Sequence, residues 1–344
     1  MPSSFAQRLI DWQRRHGRHD LPWQRTEDPY RVWLSEIMLQ QTQVATVIPY
    51  YERFLARLPT LAALAAAPQE DVMALWSGLG YYARARNLHA CAQAILSKHG
   101  GEFPRDPATL ARLPGIGRST ANAIAAFCFG ARAPILDGNV KRLLCRHRGI
   151  DGFPGCTAVE SRLWQDAAAL LPRRDVAAYL QAQMDLGATV CTRGRPRCDA
   201  CPVSEDCIAC RAGRTSELPT PKPRKTLPER ATTLLVLRAG ESVLLEKRPP
   251  AGVWGGLLSL PELPADADPA AYCAQRFGAR VLAVSPGSTF SHAFTHFRLR
   301  IRPLVCAVAR PPRATETGLC WADRARLGHA PLPAPIRRIL SAIP

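Results

Sequence analysis

Four cysteines near the middle of the chain have a spacing suited to metal binding. Cys191, Cys198, Cys201 and Cys207 follow the pattern C-x6-C-x2-C-x5-C within 17 residues. A zinc ribbon pairs two C-x2-C knuckles across a longer gap, whereas one compact loop that supplies four thiolates suits a cubane iron–sulfur cluster. The spacing therefore predicts a metal site and favours iron–sulfur over zinc. Cys210 forms a further C-x2-C with Cys207, and we interpret it as a bystander, with an alternative ligand as the other interpretation.

The start of the chain supports a metal role for these cysteines. Residues 1–10 contain no apolar core and no cleavage pattern of a secretory signal. We therefore expect a reducing, cytoplasmic compartment. There a disulfide framework is disfavoured, and cysteines serve as metal ligands or as small core residues.

Glu36 and Asp137 are the carboxylates whose surroundings suggest acid–base chemistry. Glu36 stands in the apolar stretch Trp33–Leu39, and burial there would raise its pKa so that it carries a proton at neutral pH. Asp137 follows the apolar triplet at 134–136 and precedes a predicted helix. The alternative for Glu36 is the solvated side of its helix, and the alternative for Asp137 is an N-cap.

A glycine-rich turn lies between two predicted helices. Leu113–Gly117 (LPGIG) breaks one helix, and Arg118-Ser119-Thr120-Ala121 begins the next. Such a turn exposes backbone N–H groups at a helix N-terminus, which is a phosphate site. The turn therefore predicts phosphate contacts at Gly115 and Gly117.

The charge of the whole chain indicates an anionic partner. The 344 residues include 45 Lys and Arg against 28 Asp and Glu, a formal net charge of +17. Nucleic acid is the commonest partner of such a surplus, and a surface that only aids solubility is the alternative. With 47% hydrophobic residues the chain is too apolar for disorder, and without a run of 18 apolar residues it has no predicted membrane span.

Helical patterns dominate the first part of the chain. Residues 5 to about 190 predict successive helices, with Asp28-Pro29 as the cap and first turn of a helix over Tyr30–Gln41. Prolines alternate with Lys and Arg over 211–230, which predicts a stiff, extended, basic linker. We therefore predict a helical catalytic domain at 1–212, a linker at 213–229 and a second domain at 230–344.

The periodicity changes after the linker. Ala231–Leu237, Val243–Lys247 and Arg298–Val308 are typical of strands, with a turn at Ala239-Gly240 between the first two. Ala270–Phe277 is typical of a helix. The second domain is therefore predicted to be α+β.

Several of these segments, in this order, resemble the adenine DNA glycosylase (MutY) family of the helix-hairpin-helix glycosylase superfamily. The resemblance runs from about Trp12 to Pro335 and includes the basic linker. The segments that carry it are Leu34–Thr42 (LSEIMLQQT), Gly78–Arg84 (GLGYYAR), the hairpin, Leu136–Asn139 (LDGN), the cysteine loop and Phe290–His296 (FSHAFTH). It implies a multi-domain protein: an all-α helix-hairpin-helix glycosylase with a [4Fe–4S] loop, followed by an α+β Nudix-like domain.

The resemblance implies excision of adenine mispaired with 8-oxoguanine or guanine in double-stranded DNA, as a step of base excision repair. The adenine must leave the base stack, so base flipping is expected. Glu36 would protonate N7 of adenine, and Asp137 would stabilise the oxocarbenium character of the sugar electrostatically or covalently. Asn139 would help to hold this pair. We further expect no membrane association, a monomer by default and a cytoplasmic, nucleoid-associated location.

Ser119 separates two classes of enzyme within the superfamily. The related endonuclease III, which attacks oxidised pyrimidines, carries a Lys at the matching position, forms a Schiff base and cleaves the strand. Ser119 therefore predicts a monofunctional glycosylase rather than a bifunctional pyrimidine glycosylase. Some family members have Tyr there, which leaves the contribution of Ser119 itself open. A third hypothesis, a non-catalytic mismatch-binding protein, needs both Glu36 and Asp137 to be structural.

Resemblance also assigns residues to DNA contacts. Gln41 would fill the vacated stack as a wedge, and Tyr81 would stack beside 8-oxoguanine. Gln181 would contact the flipped adenine, and Trp23 and Gln24 would line the same pocket. The alternatives are a capping Gln at a helix end and a core Tyr.

In the second domain, Phe294, Thr295 and His296 match a Phe-Ser-His loop that reads 8-oxoguanine in the family. Thr replaces Ser, which keeps a hydroxyl but adds a methyl group and stiffens χ1. The alternative for His296 is a surface histidine in a strand turn.

The second domain lacks the acidic pattern of a Nudix hydrolase. The segment Leu263–Arg276 contains Asp266 and Asp268 as its acids and no Glu-Glu pair. Magnesium needs clustered carboxylates. We therefore interpret this domain as a binding module.

Overall fold

The computed structural model describes residues 4–24, 26–223, 226–249, 252–309 and 318–343. The chain forms two compact units: Met1–Ala66 with Asn87–Arg224, and Ala67–Arg86 with Lys225–Pro344. A segment from the first half of the chain thus belongs to the second unit. The domain limits at 212 and 229 stay predictions, and Arg224 and Lys225 of the predicted linker lie outside the described residues.

The first part of the chain is helical, as predicted. Its helices are α1 Phe5–His16, α2 Pro29–Leu39, α3 Val44–Arg57, α4 Leu61–Ala66, α5 Gln69–Trp76, α6 Ala83–His99, α7 Pro107–Leu110, α8 Arg118–Phe129, α9 Gly138–Arg148, α10 Thr157–Ala169, α11 Val176–Thr189 and α12 Ile208–Arg211. A 3-10 turn, Cys198–Ala200, lies within the cysteine loop.

Polar side chains cap the starts of α1, α2, α7 and α9. The Tyr30 N–H donates to Asp28 Oδ1 (3.0 Å) with Pro29 in the first turn, so the predicted cap of α2 is confirmed. The helix ends at Leu39, two residues before the predicted Gln41. The reason is that Gln40, with ψ of 111°, already leaves the helical conformation, and Gln41, with φ of 57°, is left-handed.

The core of the first unit lies where α11 packs against α1 and α9. Leu9, Leu144, Leu180 and Leu186 are fully buried there. Burial of each such side chain is worth roughly 1.5–3 kcal/mol, so this apolar contact is what holds α9 and its N-terminal residues in place.

Within the described residues, the second unit is built on a mixed sheet of eight strands. They are β1 Glu229–Ala239, β2 Ser242–Lys247, β3 Leu258–Ser259, β4 Glu262–Leu263, β5 Val281–Pro286, β6 Phe290–Ala293, β7 Arg298–Val308 and β8 Leu319–Asp323. The central order is β3-β2-β1-β7-β5, with β4 on β1, β6 on β7 and β8 on β2. The β1–β7 pair is parallel, and the other pairs are antiparallel.

Helices α13 Pro269–Phe277 and α14 Ala334–Ala342 also belong to this unit, together with α5. Cys273 and Phe277 of α13 pack on Leu235 and Leu237 of the sheet. The predicted α+β class and the strands at 231–237, 243–247 and 298–308 are confirmed. The other five strands of the described residues were not predicted. Strands β3 and β4 have only two residues each, and strands β5, β6 and β8 have no clear buried face.

None of the helices in the described part of the chain has the length and apolar character that crossing a lipid bilayer requires.

Candidate active site

A cleft of about 640 Å³ opens in the first unit. Its size is that of a small-molecule or base pocket. The lining comes from α1 and the segment after it, from α2, from the start of α3, and from α8 and α11. The lining residues are Gln13, Arg18, His19, Leu21, Trp23, Gln24, Thr26, Glu27, Val32, Ser35, Glu36, Leu39, Val44, Phe127, Ala177, Ala178, Gln181 and Met184.

Glu36 reaches this cleft from a helix that is otherwise held in the core. Trp33, Leu34 and Met38 of α2 are fully buried, which fixes the rotation of the helix. Burial raises the pKa of Glu36 to about 7, and the nearby charge of Asp137 adds to the rise. Glu36 is thus poised to hold or release a proton near neutral pH, as the sequence predicted for it.

Asp137 stands at the N-terminus of α9, where it is also an N-cap. Its Oδ1 accepts the Val140 N–H (2.8 Å), and its Oδ2 accepts a hydrogen bond from Asn139 Nδ2 (3.3 Å). Burial raises the pKa of Asp137, and these hydrogen bonds together with the charge of Arg142 oppose the rise. The N-cap alternative is therefore correct in geometry, and it leaves the carboxyl close enough to Glu36 to shift its pKa.

Arg142 ties this carboxyl to the cysteine loop. Its Nη2 donates to Asn139 Oδ1 (2.8 Å) and to Gly187 O (2.7 Å), while Nε donates to Cys191 O (2.7 Å). A Cβ on Gly187 would lie 2.5 Å from Asn139 Cβ, so only glycine allows this approach of α9 and α11. The pair Asp137 and Asn139 is thereby anchored to the first predicted cluster ligand.

Ser119 supports the segment just before Asp137. Its Oγ accepts the backbone N–H of Leu136 at 3.0 Å. The hydroxyl therefore acts on the backbone one residue away from the carboxyl.

The predicted hairpin connects α7 to α8. Gly115 has φ of 75°, and a Cβ there would lie 2.7 Å from Asn87 Cβ, so the turn requires glycine on both counts. Gly117 is the N-cap of α8 and offers no side chain to occupy the N-terminal N–H groups. This leaves the start of α8 available to an anion.

Gln41 and Tyr81, the two residues predicted to touch bases, both have left-handed backbones. Gln41 is exposed with φ of 57°, and Tyr81 is 47% exposed with φ of 48°. Strain of this kind in a residue other than glycine clusters at functional sites. Neither residue is in the core, so the alternative of a core tyrosine is not what the structure shows. The Arg84 guanidinium lies 5.6 Å from the centre of the Tyr81 ring, within the second unit.

Gln181, Trp23 and Gln24 line the same cleft as Glu36, and their contact with a flipped base stays a prediction of the resemblance. Gln181 Nε2 donates to Asp185 Oδ1 at 2.9 Å. Trp23 stands edge-on to Tyr51, with ring centres 5.4 Å apart.

The four predicted cluster cysteines surround one small cavity, and Cys210 lines it as well. Backbone N–H groups of Val203, Ala209 and Cys210 point at the sulfurs of Cys201 and Cys207. N–H groups that face sulfur are what an anionic iron–sulfur cluster needs around it. Within the described ranges, no three His, Cys, Asp or Glu side chains are arranged to hold a single metal ion. The thiols enclose a space instead, so the donor set fits a polynuclear group.

Arg146 contacts the backbone of the cysteine loop. It is 2% exposed and donates to Thr192 O (2.7 Å), Arg193 O (3.2 Å) and Leu218 O (2.8 Å). Its Nη1 also lies 3.4 Å from Cys191 Sγ. The guanidinium thus fixes the loop backbone and places positive charge beside the Cys191 sulfur.

In the second unit, Phe294, Thr295 and His296 form the turn between β6 and β7. Phe294 stacks on the buried ring of Phe297 at 4.5 Å and contacts His292 edge-on at 4.8 Å. Thr295 and His296 are exposed, and Thr295 Oγ1 lies 3.4 Å from His296 Nδ1. Packing of Phe294 thus fixes the turn, in which the polar side chains of Thr295 and His296 face solvent.

Sequence reasoning missed Arg142, Arg146 and Asp185 as parts of this machinery. Arg142 follows Asn139 by one helical turn, and Asp185 follows Gln181 by one turn within an apolar helix. These spacings were the available signals. The contacts to Cys191 and Arg18 join residues far apart in the chain and leave no local signal.

Two families match the chain. Residues 34–168 match the HhH-GPD superfamily of base excision DNA repair proteins, and residues 232–342 match the NUDIX domain. These matches confirm the predicted order of a helix-hairpin-helix region and a Nudix-like domain.

Similar proteins are known over the whole length. An adenine DNA glycosylase of Buchnera aphidicola subsp. Acyrthosiphon pisum (strain APS) is 35% identical over 98% of this chain and 96% of its own. The adenine DNA glycosylase of Homo sapiens is 47% identical over 60% of this chain and 39% of its own.

Among solved structures, a thermostable thymine-DNA glycosylase is 26% identical with a TM-score of 0.56, over 60% of this chain and 95% of its own. An endonuclease III in a non-covalent complex with DNA is 22% identical with a TM-score of 0.52, over 60% of this chain and 94% of its own. The second match is a likeness of fold alone.

Proposed function

The chain belongs to the adenine DNA glycosylase family, and we propose that it excises adenine paired with 8-oxoguanine or guanine in double-stranded DNA. It is a hydrolytic enzyme of base excision repair that cleaves the N-glycosidic bond of adenine. The observation that carries the proposal is the carboxyl pair, in which Glu36 faces the cleft with a pKa of about 7 beside the firmly hydrogen-bonded Asp137.

The two carboxyls have separate tasks in this proposal. Adenine is a poor leaving group, and a proton from Glu36 to N7 lets it leave as a neutral base. The sugar then carries positive character, which the Asp137 carboxylate stabilises from its fixed position. Asn139 and Arg142 hold Asp137 there. A water molecule completes the hydrolysis.

We propose that the enzyme is monofunctional. A lyase step needs an amine that forms a Schiff base with the sugar. The matching position holds Ser119, whose hydroxyl instead bonds the Leu136 backbone.

A single-turnover assay on duplexes with one adenine tests these proposals. We expect strand breaks only after hot alkali, with adenine opposite 8-oxoguanine or guanine excised and adenine opposite thymine left in place. Breaks without alkali would contradict monofunctional chemistry. Excision that ignores the opposite base would contradict the mispair specificity.

DNA recognition is proposed for both units. In the first unit Gly115 and Gly117 would bind phosphate, Gln41 would fill the vacated stack and Gln181 would contact the flipped base. In the second unit Tyr81 would stack beside the opposite base, and Phe294, Thr295 and His296 would read it. The exposure and left-handed backbones of Gln41 and Tyr81 support this.

A row of arginines in the second unit supports DNA as the partner. Arg298, Arg300 and Arg302 are exposed on one side of β7, while the alternate residues face the core. The row begins directly after the Phe294–His296 turn. Alternate residues on a strand are about 6.6–6.8 Å apart, so the row can follow successive phosphates of one DNA strand.

We expect the double variant Arg300→Ala, Arg302→Ala to weaken DNA binding without changing base preference. Each lost phosphate contact lowers the slope of log Kd against log salt by about 1. Fluorescence anisotropy at several salt concentrations measures the slope. Arg326→Ala, an exposed arginine elsewhere in the unit, is the control. An unchanged slope in the double variant would contradict the proposed row of contacts.

We propose that Cys191, Cys198, Cys201 and Cys207 hold a [4Fe–4S] cluster, which when bound would fix the loop that Arg142 and Arg146 contact. Such thiolate ligation suits a reducing compartment, which is consistent with action on DNA in the cytoplasm.

Cys201→Ser is expected to lose iron and acid-labile sulfide, because it removes a proposed ligand whose sulfur accepts the Val203 N–H. Metal analysis and the visible absorption spectrum measure the loss. Cys156→Ser, an exposed cysteine outside the loop, should keep both. One zinc per chain without sulfide in the unaltered protein would contradict the cluster.

A further inference from the structure

Asp185 is a carboxylate sealed inside the first unit, directly behind the cleft. It is 0% exposed and lies one helical turn after Gln181 on α11. Its Oδ2 accepts the backbone N–H of Arg18 (3.0 Å), and its Oδ1 accepts Arg18 Nε (2.8 Å) and Gln181 Nε2 (2.9 Å). A buried charge is costly unless it is paired and fully hydrogen-bonded, and here it is both.

This arrangement decides which end of the Gln181 amide faces the cleft. A carboxylate can only accept hydrogen bonds, so the NH₂ group of Gln181 must face Asp185. A flip of the amide would set its carbonyl oxygen against a carboxylate oxygen and leave both without a donor. Gln181 Oε1 is therefore directed away from Asp185, on a side chain that lines the cleft together with Arg18 and Glu36.

We propose that Asp185 is a positioning residue that locks Gln181 as a hydrogen-bond acceptor and so makes the pocket select purines with an exocyclic amine at C6. The inference rests on the proposed function, since Gln181 is the residue assigned to the flipped base. Adenine offers an amine donor at this position, whereas hypoxanthine offers a carbonyl acceptor. Hypoxanthine would place its oxygen against Gln181 Oε1, and a site built for one hydrogen-bond pattern rejects the opposite one strongly.

The side chain of Arg18 keeps Asp185 in the role of hydrogen-bond acceptor. Its guanidinium is a permanent donor, so Asp185 Oδ1 has no reason to give up its acceptor role. The network thus passes a fixed polarity from Arg18 through Asp185 to Gln181. Glu36 and Asp137 supply the chemistry, and this second network supplies the choice of base.

Asp185→Asn is the sharpest test because it keeps the shape of the side chain and removes the polarity. The Asn amide can donate to Gln181 as well as accept from it, so Gln181 becomes free to turn either end to the cleft. The measured quantity is the ratio of single-turnover excision rates for adenine and hypoxanthine opposite the same base. We expect the ratio to fall by about tenfold or more in Asp185→Asn.

A double-variant comparison separates positioning from general support of the fold. In a Gln181→Ala background the Asp185→Asn change should leave the ratio unaltered, because the residue through which it acts is gone. Asp185→Glu, which keeps a carboxylate, should recover part of the selectivity. If Asp185→Asn lowers both rates equally and leaves the ratio unchanged, Asp185 is only structural and the proposal is overturned.

The unaltered protein gives a second test that does not depend on any variant folding. It should excise hypoxanthine at least tenfold more slowly than adenine. Equal rates for the two bases would overturn the selectivity proposal and leave the proposed function standing. Absence of adenine excision from any mispair would instead overturn the proposed function.

Discussion

Glu36→Gln is expected to lower the single-turnover rate of adenine excision by about 10²–10⁴-fold, the range that a general acid contributes. Gln has the shape of Glu but cannot supply a proton to N7, so adenine would have to leave as an anion. Mispair binding should remain, because Gly115, Gly117 and the second unit are untouched. Rates from a quenched single-turnover assay and Kd from anisotropy measure the two effects separately.

Stability provides the control against simple unfolding. Burial raises the folded-state pKa of Glu36 to about 7 from its ordinary 4.5, so its carboxylate opposes folding. Below pH 4.5 Glu36 is protonated in both the folded and the unfolded state, and it does not reduce the free energy of unfolding. Between pH 4.5 and 7 it ionises in the unfolded state but not in the folded state, so the free energy of unfolding falls, and this loss is complete once the pH has risen through 7. Glu36→Gln should therefore raise the free energy of unfolding at pH 8, by at most about 3 kcal/mol and less where cleft water screens the charge. A slower enzyme with a higher Tm cannot be explained by misfolding.

The pH dependence follows from the same group. The protonated form is the acid, so the single-turnover rate should be highest below about pH 7 and should fall tenfold per pH unit above it. In Glu36→Gln the residual rate should lose this inflection. Glu52→Gln, an exposed carboxyl on α3, should keep both the rate and the profile. Excision at the unaltered rate in Glu36→Gln, or a rate that rises through pH 7, would show that Glu36 is not the acid.

Much of this site could be predicted because its signals are local. The cap and proline before α2, the apolar neighbours of Glu36 and the alternation of β7 each lie within one segment of the sequence. Local patterns indicate which face of an element is buried, and that suffices to place Glu36 on its helix and to predict the strand over Arg298–Val308.

The other features of the site depend on contacts between residues far apart in the chain, which local sequence patterns do not predict. Arg142 reaches the Cys191 carbonyl, and Asp185 meets Arg18, only because α11 packs against α1 and α9. The left-handed backbones of Gln41 and Tyr81 also have no sequence signal, since neither residue type prefers that conformation. The grouping of Ala67–Arg86 with the second unit also comes from packing rather than from any boundary signal.

Asp137→Asn is expected to lower the excision rate by about 10²–10³-fold, the usual effect of removing one group that stabilises transition-state charge. The substitution distinguishes the two roles that Asp137 has in the structure. Asn is as good an N-cap as Asp, so its side-chain oxygen can still accept the Val140 N–H and α9 should remain intact. The negative charge facing the sugar is lost. Single-turnover rates and thermal unfolding measure the two roles.

Asp106→Asn is the matched control, because Asp106 caps α7 through the Thr109 N–H (2.8 Å) and is exposed. It should leave the excision rate unchanged. If Asp137→Asn behaves in the same way, Asp137 is a cap and the two-carboxyl mechanism is wrong.

The pH profile of Asp137→Asn carries a second, independent signature. The negative charge of Asp137 contributes to the raised pKa of Glu36, so its removal should lower that pKa. The inflection in the rate should therefore move to lower pH, while in Asp106→Asn it should stay in place. A purely structural loss at α9 would lower the rate without moving the inflection. The direction of this shift thus tests whether the two carboxyls interact electrostatically as one catalytic pair.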